Sequence, residues 1–72
     1  MDVAGKIAIA KQVMAQIEMN LEAAAFEARL CVKVGDEKSL GQIKARVSEL
    51  QRKVDAGMEL IKEMQAASVK AE

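Results

Sequence analysis

Apolar residues recur along this chain at alternating intervals of three and four, in two runs separated by a glycine. The first run is Val3, Ile7, Ala10, Met14, Ile17, Leu21, Ala24, Ala28 and Cys31. The second is Leu40, Ile43, Val47, Leu50, Val54, Gly57, Ile61, Met64 and Ser68. That spacing keeps one face of an α-helix apolar and forms the a/d seam of a heptad repeat. It predicts an all-α chain of two helices, over about residues 3–34 and 37–70. Between them, Gly35 suits the left-handed residue that ends a helix, and Asp36 suits the N-cap of the next. Ser39 followed by Gln42 is a rival capping box, which starts the second helix about one turn later. Either connection is short, and short connections make antiparallel neighbours. The expectation is therefore an antiparallel, coiled-coil-like two-helix hairpin occupying residues 1–72 as one domain.

Folding back at Gly35 and Asp36 stacks the two seams in layers. Cys31 then faces Leu40, Ala28 faces Ile43, Ala24 faces Val47, and Leu21 faces Leu50. Further along, Ile17 faces Val54, Met14 faces Gly57, Ala10 faces Ile61, and Ile7 faces Met64. Small residues repeatedly meet large ones, as constant interhelical spacing requires. The expected hairpin core is thus Met14, Ile17, Leu21, Ala24 and Ala28 against Ile43, Val47, Leu50, Val54, Gly57 and Ile61. A start at Ser39 would instead set Gly57 against Ile17.

The first helix has a second apolar face. Met19, Ala23, Phe26 and Leu30 occupy f and c positions, opposite the seam, and Ile9, Val13 and Val34 widen the surface. The exterior of the second helix is polar, with Lys44, Arg46, Glu49, Arg52, Asp55 and Glu59, and gains only a little apolar width from Met58 and Leu60. One helix is thus expected to need burial on two sides, and a hairpin supplies only one. Met19, Ala23, Phe26 and Leu30 are the expected protein-binding row. Its occupant is either a second copy, which completes a helical bundle by dimerisation, or a different helical protein.

Composition narrows the function further. The chain has 72 residues, no Pro, Trp or Tyr, and a single Phe, so its core is thin and built from aliphatics, Ala and Met. Formal net charge is zero, and no global field draws it to nucleic acid or to an anionic membrane. Lys38, Lys44, Arg46, Arg52 and Lys53 concentrate basic charge on the second helix, interleaved with Glu37, Glu49 and Asp55. No aromatic residue there would stack on bases, which disfavours nucleic acid as a partner. Charges through the first helix deny it a membrane span. The amino terminus lacks the pattern of a secretory signal, and one cysteine fits a reducing compartment, so a cytoplasmic protein is expected.

Catalytic chemistry is poorly provided for. There is no histidine, which removes the usual general base and metal ligand. Glu18 with Glu22, and Asp55 with Glu59 and Glu63, read as solvated charge stripes, because a carboxylate-bridged metal pair in a bundle needs histidine partners. Cys31 occupies a seam position with no histidine or helix N-terminus beside it to make a nucleophile. The four glycines are isolated and form no phosphate loop. The chain is read as a non-enzyme with no cofactor, metal or small-molecule substrate.

In length, hairpin layout and the Gly35–Asp36 reversal, the chain is similar to the small hairpin chaperones of type III secretion needle subunits. It has Leu40 and Ile43 where that family often carries aromatic residues. The resemblance implies an assembly factor or chaperone that holds another helical protein. The outline is also similar to the Rop-type regulators of plasmid copy number, which implies the alternative of a homodimeric four-helix bundle that binds RNA. A phage-encoded or structural oligomerisation protein is the remaining alternative. The leading expectation is a non-enzymatic protein–protein interaction module, an assembly factor, chaperone or adaptor.

Overall fold

A computed structural model describes residues 2–71, with side chains through residue 67. It contains two helices, α1 (Val3–Val34, 32 residues) and α2 (Glu37–Ala71, 35 residues), packed along their lengths. At 1.5 Å per residue these helices are about 48 and 52 Å long. The molecule measures 56 × 15 × 13 Å, so the helices lie side by side and, joined by two residues, run antiparallel. The fold is the all-α helical hairpin anticipated from the heptads.

Both helices begin on an aspartate. Asp2 is extended (φ −79°, ψ 174°) and accepts a 2.8 Å hydrogen bond from the Gly5 backbone N–H. Asp36 accepts one of 3.1 Å from the Ser39 N–H, and its own carbonyl accepts from Leu40 N–H. In each case the third residue of the helix donates to the cap, as an N-cap requires. Asp36 is therefore the start of α2, and Ser39 sits inside the first turn.

The reversal is a Schellman motif. Gly35 takes the left-handed conformation (φ 75°, ψ 24°), where a side chain would strain the backbone. The Asp36 N–H donates to the Cys31 carbonyl at 2.9 Å, and the Gly35 N–H donates to Val32 at 3.4 Å. Two carbonyls that the end of α1 would leave without partners are satisfied in this way.

The carboxyl of Asp36 is held below the usual carboxylate range by hydrogen bonds from the Ser39 side chain and then from its backbone N–H, against a small opposing effect of burial. A group whose folded pKa is depressed stabilises the fold above its unfolded pKa, about 3.9 for aspartate. That stabilisation is lost as pH falls through the lower folded value. Asp36→Asn retains a capping oxygen but no longer titrates, so it should flatten this part of the acid dependence. Thermal melts in a series of acidic buffers should converge for the two proteins as pH drops; parallel curves throughout would refute the assignment.

Burial follows the seam. Five side chains are buried among the described residues: Met14, Ala24, Cys31, Leu50 and Val54. Ile7, Ala10, Ile17, Leu21 and Ala28 on α1 are half-buried, as are Leu40, Ile43, Val47, Gly57, Ile61 and Met64 on α2. No polar or charged side chain is buried among the described residues. One expected seam position departs from the pattern: Val3, the first residue of α1, is exposed. It lies at the open end of the hairpin, and the side chain of Ser68, its expected opposite, lies outside the described residues.

The register is visible at Gly57. A Cβ built there would collide with Sδ of Met14 and stand 2.7 Å from its Cε. The Met14 side chain thus lies on the bare backbone of α2, as the layers counted from Gly35 and Asp36 require. The pairing of Gly57 with Ile17, which a start at Ser39 would have produced, is not adopted.

Candidate functional site

The seam uses the a and d positions of α1 and turns its f and c positions outward, because a helix fixes those directions about half a turn apart. Met19 is 66% exposed, Phe26 61% and Leu30 49%, and Ala23 between them is exposed as well. These residues succeed one another at intervals of four, three and four, so they form one continuous row along α1. Ile9, Val13, Val32 and Val34 are also exposed. On α2, Met58 and Leu60 are the exposed large apolar side chains among the described residues. The asymmetry expected between the helices is present in the structure.

Charged side chains edge the row. Glu22, Ala25, Phe26 and Arg29 line a shallow depression of 200 Å³, which sets the only aromatic ring of the chain between a carboxylate and a guanidinium. On the opposite edge, one turn of α1 is tied by a 3.4 Å hydrogen bond from Gln16 Nε2 to Asn20 Oδ1. An analogous bond on α2, 3.3 Å from Gln51 Nε2 to Asp55 Oδ1, belongs to its solvated exterior.

A second surface, not anticipated as a site, opens toward the free end of the hairpin. It is a groove of 380 Å³ with Val13 and Leu60 on its walls and Ala10, Ala56 and Gly57 in its lining. Met14, Ile17, Ile61 and Met64 also contribute, and Lys53 is its one charged residue. Small residues at positions 10, 56 and 57 leave the space between the helices unfilled. The signal in the sequence was the pair Val13 and Leu60, both apolar at g positions that flank the seam on the same side.

No group of three or more His, Cys, Asp or Glu among the described residues is placed to hold a metal ion. The Cys31 thiol is free and buried in the seam beneath the turn. No helix among the described residues is long and apolar enough to cross a membrane. Arg46, Arg52, Lys44 and Lys53 are exposed on α2, alternating along it with Glu49 and Asp55. What the arrangement presents is a row of apolar side chains along the outer face of α1.

Comparison with known proteins yields no match among family models, characterised proteins or solved structures.

Proposed function

We propose that this protein is a non-enzymatic protein–protein interaction module, a small hairpin assembly factor, chaperone or adaptor. In this reading α2 holds α1 in helical form, and α1 offers its outer face to another helix. The observation that carries it is the row Met19, Ala23, Phe26 and Leu30, exposed on a helix whose opposite face is already consumed by the seam. A row of this kind is what helix-in-groove recognition uses, with anchors at three- and four-residue intervals. It offers about 300 Å² of apolar surface, worth several kcal/mol at about 25 cal/mol/Å² before the cost of association. Methionine at one end gives the row an adaptable contact, which suits a binder that accommodates another helix without a rigid pocket.

Phe26→Glu tests the reading directly. The substitution lies outside the seam, so helicity by circular dichroism should be retained. Burying a carboxylate at the centre of an apolar contact should weaken association about 100-fold or more. Wild type and variant are compared as bait in extract of the source cells and by mass in solution. A variant that keeps every wild-type association would sink the outer-face reading.

A further inference from the structure

The outer face of α1 is complementary to itself. Consider two copies with their α1 helices antiparallel about a two-fold axis between Ala24 and Ala25. Ala23 of one copy then meets Phe26 of the other, Met19 meets Leu30, and Gln16 meets Lys33 in the outermost layers, so a small residue receives the ring and flexible chains meet toward each end. The flanking b positions bring Glu22 against Arg29 and, by symmetry, Arg29 against Glu22. On the other edge Asn20 meets Glu27, and Val13 meets Val34. These residues are exposed or at most half-buried in the hairpin and so are free to make these contacts.

Neighbouring arrangements lose this agreement. A shift of one heptad in one direction puts Glu22 against Glu22 on the two-fold axis and Phe26 against Gln16. The opposite shift puts Arg29 against Arg29 and Ala23 against Lys33. A parallel pairing sets Glu22 against Glu27. Flanking charges choose register and orientation in helix pairs, and here they favour the first arrangement over these three.

We infer that the helix received by α1 is α1 of a second copy, in this antiparallel register. The inference rests on the outer-face reading above and names its occupant. The two α1 helices overlap over about 20 residues, or about 30 Å. The assembly is a flat layer of four helices in the order α2, α1, α1, α2. Together the copies bury about 600 Å² of apolar side chain, less than the roughly 1,200 Å² of a standard stable interface, so the dimer should be weak and reversible, with a dissociation constant in the micromolar range or above. Zero net charge on the chain opposes no such pairing.

Sedimentation equilibrium on the full chain over a concentration series is the test. The wild type should pass from monomer to dimer across micromolar concentrations. Glu22→Arg and Arg29→Glu each replace two attractive contacts with two repulsive ones, and each should weaken the dimer about tenfold. An equimolar mixture of the two variants should regain near wild-type association, because both contacts between positions 22 and 29 again join opposite charges. Circular dichroism establishes that each variant retains its helices. A chain that stays monomeric to millimolar concentration overturns the second copy as occupant, and a dimer indifferent to both reversals overturns the register. In both cases the outer-face reading still answers to Phe26→Glu alone. A dimer that survives Phe26→Glu would overturn the second copy as occupant of this face, and the outer-face reading would then stand or fall on the other associations that Phe26→Glu removes or keeps.

Discussion

Leu50→Ala should destabilise the hairpin by about 2–5 kcal/mol, read as a lower urea midpoint with little change in slope. Leu50 is one of five buried side chains among the described residues, and the seam around it is one layer deep. A two-helix hairpin has no second layer of side chains that could move in to fill the space. The lost methyl groups therefore cost both their transfer free energy and a cavity. Hairpins of this size are marginal to begin with, so a loss at the upper end of that range leaves a largely unfolded chain at room temperature. The measurement is cleanest on the Phe26→Glu background, where association does not add to the apparent stability. A cost below about 0.5 kcal/mol, the level of an ordinary surface substitution, would show that the seam does not hold the helices together.

Gly57→Leu should cost about 1–3 kcal/mol alone and much less when combined with Met14→Ala. The cause is the close approach already described: even a single Cβ at position 57 meets Sδ and Cε of Met14. Those atoms are the flexible end of the side chain, and the 380 Å³ groove beside them offers somewhere to turn. Gly57→Ala is therefore the milder change, because the gain of about 1 kcal/mol in helix propensity offsets the displacement of Met14. A leucine needs more room than that movement yields, and overpacking follows. Shortening Met14 to alanine returns the volume on the opposite helix. The double-mutant cycle should then give a coupling of about 1–2 kcal/mol, measured by denaturant titration. Additive effects would mean that the two positions do not share a layer.

The particulars show which physical features reach the surface of a sequence. Heptad spacing is a direct consequence of helix geometry, so Ile7 through Cys31 and Leu40 through Met64 could be placed inward from their intervals alone, and they are buried or half-buried. The outer row needed no further signal, being the apolar residues left when the seam is assigned. The start of α2 was ambiguous because Asp36 and Ser39 are both competent caps. Hydrogen bonding separates them, since Ser39 donates its N–H to Asp36 and so belongs to the first turn. Asn20 is half-buried although no apolar pattern marks it; it stands beside the seam at a g position, bonded to Gln16. The groove next to Gly57 escaped the pattern because its volume depends on how Met14 lies and on three small residues that heptad counting treats as ordinary positions.

The proportions of the hairpin bear on how its mass must be measured. Its radius of gyration is 16.5 Å, whereas a compact globule of the same length has about 11 Å. By that scaling the single chain has the breadth of a globule of about 200 residues. On a gel-filtration column calibrated with globular standards, one rod would elute ahead of a globule of its own mass. Two such rods overlapping over about 30 Å would be both longer and wider, a shape that no globular standard matches. Elution volume therefore separates one copy from two poorly, while scattered light and sedimentation equilibrium weigh them directly. The same slenderness leaves most of the chain close to solvent, so that so small a protein can offer a long face to another helix.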